Sequence, residues 1–359
     1  MKIAVLGGGN GSYAAAADLS DAGHEVRFWR RDADGFRSLL ETKTIRLRDA
    51  AGVRDAAIAL PTLDIGEAVT GAELIVVPTP AFAQADIAAL LAPHLGDGQV
   101  IFLPPGTFGS YVMMKVLRDK GCTAEVMIAE TGTLPWLARK HGADEVAITT
   151  RASRLPTGVM PARLTDKAIA VIAQAFPDTI EPIEDALSGA LMNAGPIIHP
   201  PLIFMNAGPI EHFDRWDIHN EGTQPSIRRV HGALDGERIA VREALGYGAP
   251  HFPLADHYNT SNWMYGNLAH DKLVDSGDWH EKLDFSTHRY LQEDTRMGLS
   301  FLVSVGEWAG VPVPVAAGLL AIASAVAGDD FRTSGRTLKT LGLNGMSRAD
   351  MTAMLMQGV

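Results

Sequence analysis

The chain has 359 residues, 47% of them hydrophobic and 20% charged, and a formal net charge of -11. That length exceeds one ordinary core, so two domains are expected in a globular protein. The acidic balance argues against a broad nucleic-acid footprint or an anionic membrane surface, and the single cysteine, Cys122, excludes an intrachain disulfide and a Cys-cluster metal site.

Residues 1–6 are a short apolar run, and Gly7-Gly8-Gly9-Asn10-Gly11-Ser12 follows at once. An Ala-rich stretch, residues 13–19, comes next and reads as a helix. A buried parallel strand, a glycine turn and a helix start make up a dinucleotide-binding unit. Gly7 lets the chain turn, Gly9 removes a side chain from the path of a pyrophosphate, and Asn10 and Gly11 open the helix. The third glycine position is Ser12, a small residue that still permits close helix–strand packing. Backbone N–H groups at the helix start then face the phosphates.

The helix is expected to stop near Asp21-Ala22-Gly23, and residues 24–29 form the second strand. Arg30 and Arg31 follow it, with Asp32 just beyond. Two guanidinium groups suit a ribose 2′-phosphate better than a 2′-hydroxyl, so NADP is expected in preference to NAD, although a solvated basic turn is also compatible. Residues 35–62 read as a helix and two short charged strands, residues 72–78 as a strand ending in Pro78-Thr79-Pro80, and residues 83–95 as a helix. Residues 99–103 are another strand, closed by Pro104-Pro105-Gly106-Thr107, and residues 125–129 a further one, ending at Glu130-Thr131. Pro78, Thr79 and Gly106 thus sit where strands end, the edge at which such folds bind ligands. Strand-like pieces continue through residues 145–149, and residues 165–176 form a helix stopped by Pro177.

Beyond residue 184 the alternation of strand and helix ceases. The expected architecture is therefore an α/β chain: an N-terminal Rossmann-type, doubly wound parallel sheet over 1–184 and an all-α domain over 185–359. Residues 311–327 are the longest apolar stretch, broken by Pro312, Pro314 and Gly318, and read as a buried helix rather than a membrane span. The N-terminal run is too short for a signal peptide, and with the lone cysteine this fits a cytoplasmic protein.

Chemistry in the helical half concentrates in two stretches. His199 lies in an apolar run beside Pro200 and Pro201, a setting that suits a structural histidine as well as a catalytic one. Asn193, in the same stretch, is a candidate substrate contact. Residues 287–296 carry Arg289, Glu293 and Asp294 and begin an amphipathic helix reaching residue 305. On an α-helix Arg289 and Asp294 would stand about 140° apart, so they share a cavity only if Arg289 precedes the helix or the substrate wraps it. Trp216, Trp263, Tyr265 and Trp279 fit either a pocket wall or core packing.

Several strings resemble the opine dehydrogenases of the octopine/nopaline type: Gly-x-Gly-Asn-Gly at Gly7 to Gly11, Pro104-Pro105-Gly106-Thr107, Ile198-His199-Pro200, Arg-Tyr-x-x-Glu-Asp at Arg289 to Asp294, and Gly-Arg-Thr-Leu-x-x-Leu-Gly-Leu at Gly335 to Leu343. The resemblance covers nearly the whole chain; glycerol-3-phosphate dehydrogenases and ketopantoate reductases look more distant. It implies reductive condensation of an amino acid with a 2-oxo acid such as pyruvate to a secondary amine dicarboxylate, and the reverse oxidation. It also implies His199 as general acid/base, Asp294 as its partner and Arg289 as the carboxylate clamp. Three positions depart from the family: Pro104 stands for Asn, Ser12 for Gly and Arg30 for Asp, the last questioning NAD use. No metal, nucleic acid or membrane is implied, and a homodimer is compatible. Two other readings are an NADP-dependent 2-hydroxy acid or ketopantoate-type reductase, which would need a lysine such as Lys272 or Lys282 at the carbonyl, and an NADP-sensing protein without turnover.

Overall fold

The computed structural model describes residues 1–259, 263–266, 268–280, 282–285 and 287–359. They divide into two units, residues 1–190 together with 352–359, and residues 191–351.

The first unit alternates strands and helices. In chain order they are β1 (Lys2–Leu6), α1 (Asn10–Asp21), β2 (Glu25–Trp29), α2 (Arg37–Thr42), β3 (Thr44–Asp49), β4 (Gly52–Ala57), β5 (Leu60–Thr62), α3 (Ile65–Val69), β6 (Leu74–Val76) and α4 (Gln84–Leu91). The chain continues through β7 (Val100–Leu103), α5 (Gly109–Asp119), β8 (Met127–Thr131), β9 (Trp136–His141), β10 (Glu145–Arg151), β11 (Leu155–Met160), α6 (Thr165–Ala175), β12 (Ile180–Pro182) and α7 (Ala186–Ala190).

Eight strands form one sheet in the order β12-β11-β8-β7-β6-β1-β2-β5. From β5 to β8 every pairing is parallel. The sheet is not parallel throughout, as its sequence pattern suggested, because β11 runs antiparallel to β8. Only the β9–β10 hairpin separates these two strands, and without a crossover helix the chain re-enters the sheet in the opposite sense. The hairpin joins a second sheet, β4-β3-β10-β9.

Between the two sheets lies α1. Ala14, Ala15, Ala16 and Ala17 are each 0% exposed, because the second sheet covers the helix face turned away from β1 and β2. A helix packed on both sides must be slender, which is why this one is built from alanine. Around it Ile3, Val5, Val26, Phe28, Leu74, Val76, Val100 and Phe102 form the core, each such side chain contributing about 1.5–3 kcal/mol by leaving water.

In the structure the first unit runs to residue 190. Helix α7 packs on β8 and β11. Its approach is backbone to backbone: a Cβ on Gly158 would meet the Asp185 carbonyl oxygen at 1.9 Å, and one on Gly189 the Glu130 carbonyl oxygen at 2.8 Å. The expected helix over 83–95 is shorter, α4 ending at Leu91, because Pro93 cannot continue it.

The second unit holds α8 (Gly195–Phe204), α9 (Ala207–His212), α10 (Pro225–Ala244), α11 (Ala255–Asn259), α12 (Ala269–Ser276), a π-helical segment (Tyr290–Leu299), α13 (Ser300–Ala309), α14 (Pro314–Ala327) and α15 (Phe331–Ser334). Helix α16 (Arg348–Gln357) closes the chain. No strand occurs among the described residues of this unit. The apolar stretch over 311–327 is α14, with Ala316, Leu319, Leu320 and Ala323 buried and Ile322 and Val326 exposed. Among the described residues no helix is long and apolar enough to cross a membrane.

Candidate active site

The glycine turn of the first unit fits a dinucleotide. Gly7 has φ +125°, and a Cβ there would meet Ser12 Oγ at 2.6 Å and Thr79 Cγ2 at 2.8 Å. A Cβ on Gly9 would meet nothing within 4 Å, so the turn is open on that side. Ser12 is fully buried and its hydroxyl donates to the Leu6 carbonyl at 3.4 Å, so it packs the helix as the replaced glycine would. No side chain caps the N-terminus of α1, which leaves its first N–H groups to an anion. Thr79 Oγ1 is buried beside the turn with no hydrogen-bond partner among the described residues. An open face, uncapped N–H groups and an orphan hydroxyl are what a pyrophosphate requires.

Its borders are held from a distance. Pro78 packs on Gly11, where an added Cβ would lie 3.1 Å away. The Asn10 side-chain carbonyl accepts from the backbone N–H of Lys140 at 2.9 Å, tying the helix start to β9. The Gly106 carbonyl accepts from Gln84 Nε2 at 2.9 Å, and a Cβ on Gly106 would collide with the Glu130 carboxylate. Fully buried Glu130 in turn accepts from Phe108 N at 2.7 Å, from Ser110 N at 3.2 Å and from the Ser110 hydroxyl. A buried carboxylate at the start of α5 thus shapes the turn after β7, favoured there by the helix dipole.

The two arginines after β2 separate. Arg30 lies across the glycine turn, its Nε 2.7 Å from where a Cβ of Gly8 would be. Its guanidinium donates to the Gly35 carbonyl at 2.7 Å and to Asp32 at 2.7 Å, and reaches the Tyr13 hydroxyl at 3.5 Å. Arg31 is exposed and lines a groove with Trp29, Leu63, Asp64, Leu90 and Lys120, which does not include the glycine turn.

In the second unit α8 packs along the π-helical segment. His199 Nδ1 and Asp294 Oδ2 are 2.8 Å apart, with side chains 15% and 8% exposed. With Asp294 ionised, Nδ1–H donates to it, and proton transfer at this ring falls to Nε2. Burial pushes the Asp294 carboxyl up to about 7, against the opposing charge of Arg289. Tyr290 stacks on the imidazole at 3.9 Å between centroids, and His219 meets it edge-on at 5.8 Å.

Arg289 and Asp294 do not lie on one α-helix, because Arg289 precedes the π-helical segment that holds Asp294. Within the segment, pairing i→i+5 instead of i→i+4 brings residues five apart onto one face. Arg289 is the residue just before the segment, and its guanidinium lies 5.2 Å from the Tyr290 ring centroid. The Thr295 hydroxyl closes the same spacing, donating to the Tyr290 carbonyl at 2.8 Å. Two glycines permit the close fit with α8: a Cβ on Gly195 would meet Asp294 Oδ1 at 2.1 Å, and one on Gly298 would meet Pro196 Cγ at 2.1 Å. Asn193 is buried, and its Oδ1 accepts the Gly195 N–H at 3.0 Å.

Sequence reasoning missed a support behind His199. His231 of α10 donates from Nε2 to the Ile198 carbonyl at 3.0 Å, and Tyr258 donates to its Nδ1 at 3.3 Å. Burial pushes His231 down to about 4, so it is neutral near pH 7 and these roles are fixed. Of the four aromatic candidates, Trp263, Tyr265 and Trp279 are buried, and Trp279 lies edge-on to His219 at 6.4 Å. Trp216 Nε1 donates to Asn206 at 3.1 Å. Lys282 is tied to backbone carbonyls at the end of α9, at 2.7 Å from that of Phe213. Cys122 is buried, and the described residues hold no cluster suited to a metal ion.

Residues 182–327 match the helical domain of NAD/NADP octopine/nopaline dehydrogenases, and residues 2–131 match the N-terminal domain of NAD-dependent glycerol-3-phosphate dehydrogenases. Over 96% of both chains the sequence is 31% identical to an opine dehydrogenase of Arthrobacter sp. (strain 1C). The fold is similar to octopine dehydrogenase solved with NADH and agmatine, at TM-score 0.74 and 20% identity over 99% of this chain and 98% of that one. It is also similar to yersinopine dehydrogenase with NADP+ bound, at TM-score 0.64 and 15% identity over 99% and 98%.

Proposed function

The chain belongs to the opine dehydrogenase family, NAD(P)-dependent oxidoreductases acting on CH–NH bonds, and on that premise we propose that it condenses an amino acid with a 2-oxo acid such as pyruvate, preferring NADPH. The observation that carries the reading is the His199–Asp294 hydrogen bond at 2.8 Å, with Arg289 just before the π-helical segment and its charge acting on Asp294. Arg289 clamps the oxo-acid carboxylate through two parallel N–H bonds. The amine attacks the ketone to give a carbinolamine, and water leaves with the proton that His199 Nε2 supplies to the departing hydroxyl, giving a protonated imine that hydride alone converts to the secondary amine. Asp294 holds the imidazole in one tautomer and stabilises its cation. The nicotinamide, when bound, supplies the hydride that reduces the imine carbon. Gly7, Gly9, Asn10, Gly11, Ser12, Thr79, Pro78 and Gly106 frame the dinucleotide, and Arg30 supports NADPH through its place over Gly8.

The test is NADPH oxidation with pyruvate, glyoxylate or 2-oxoglutarate, each with and without common amino acids. Turnover that depends on both substrates, with mass spectrometry of the secondary amine, is the expected result. Turnover with an oxo acid alone would make the protein a 2-hydroxy acid dehydrogenase, and binding without turnover a sensor.

A further inference from the structure

The cation beside Arg30 at the end of β2 is not its neighbour in sequence. Lys140, from β9 of the second sheet, extends its Nζ to 4.0 Å from the centroid of the Tyr13 ring. Arg30 reaches the hydroxyl of the same tyrosine at 3.5 Å. Tyr13 lies on the first turn of α1, directly after the glycine turn. The Lys140 backbone is fixed there by its bond to Asn10.

We propose that Arg30 and Lys140 together form the site for the ribose 2′-phosphate of NADP, with Tyr13 as the floor between them. This rests on the NADPH preference proposed above and adds the residue that completes it. Burial, and then the charge of Arg30, lower the Lys140 ammonium from the usual lysine value. Two like charges held together are relieved by an anion, and a phosphate carrying about -1.5 to -2 charges matches both. Asp32 and Asp144 are the carboxylates nearest the pair. Asp32 is more than half exposed on its loop and takes one N–H of Arg30 Nη2, and Gly35 and Tyr13 lie on Nη1, which leaves Nε–H and the second Nη2–H for an anion. The arrangement separates the cofactors by charge: without the phosphate, the ribose of NAD offers Lys140 no partner of opposite sign.

The test uses full-length protein and two fragments of the cofactor, 2′,5′-ADP and 5′-AMP, with affinities measured by calorimetry. The wild type should bind 2′,5′-ADP at least tenfold more tightly than 5′-AMP. Lys140→Met should lose most of that ratio with 5′-AMP affinity unchanged, which also reports an intact fold, and Lys140→Arg should keep part of it. Should Lys140→Met fail to fold, Lys140→Arg decides: a 2′,5′-ADP preference kept in part, with the wild-type salt slope and 5′-AMP affinity, supports a cation contact, and an equal loss of affinity for both nucleotides opposes it. A ratio that survives in Lys140→Met but vanishes in Arg30→Met would overturn the role of Lys140 and leave the NADPH reading standing. A wild type that binds both fragments equally and prefers NADH would overturn that reading itself.

Discussion

His199 and Asp294 act as one group if the proposed mechanism holds, and their variants should not add. His199→Ala should lower kcat by about 10²–10⁴-fold, and Asp294→Asn should cost much of the same. The double variant should be little worse than His199→Ala, as steady-state kinetics on all three would establish. With burial pushing Asp294 up to about 7, the pair changes charge near neutrality. Condensation uses the protonated pair, so its kcat/KM should fall as pH rises past that region, while the oxidative direction should rise. A reductive profile flat from pH 6 to 9 would remove the pair from the proton transfer. Arg289→Lys keeps the charge but loses the fork; KM for the oxo acid should increase about tenfold, with a smaller change for the amino acid.

At the level of elements, the π-helical segment does what an α-helix could not. The apolar spacing of residues 287–305 announced a helix but not its pitch, because the π form is fixed by contacts with α8 that no local pattern encodes. Gly298 is the most sensitive of these contacts. Gly298→Ala would drive a methyl into the rigid ring of Pro196, and should cost about 1–3 kcal/mol in denaturant unfolding. Unchanged stability would mean that the two elements separate readily. The glycine turn was legible from Gly7 to Ser12, since strand, turn and helix are local signals. Helix α5 was not, because the carboxylate at its start belongs to Glu130, twenty residues downstream of Ser110. Lys140 and His231 escaped for the same reason: their partners, Tyr13 and Ile198, are far along the chain.

At the scale of the first unit as a whole, charge ties the strands of the second sheet to one another and to α1, where Arg54 reaches Asp21 at 2.7 Å and Arg151 reaches Asp18 at 2.6 Å. Asp49, with a side chain 3% exposed, receives Arg54 at 2.8 Å and Arg151 at 2.6 Å. Arg54, then Arg151, hold its carboxyl well below the usual carboxylate range. A depressed carboxylate stabilises the fold above its unfolded pKa near 3.9 and loses that contribution as pH falls. Both arginines are partly solvated, so after screening Asp49→Asn should cost about 1–2 kcal/mol at pH 7. That corresponds to roughly 2–8 °C in Tm, and the gap from wild type should close as pH falls below about 4. The route by which this sheet assembles follows from its register. Its two hairpins are local, but the β3–β10 joint pairs Arg46 with Glu145, about a hundred residues apart. Closing so long a loop is slow unless the large sheet first brings its ends together. The part of the alanine face of α1 that β9 and β10 cover therefore keeps its water during synthesis at least until the ribosome has released residue 151.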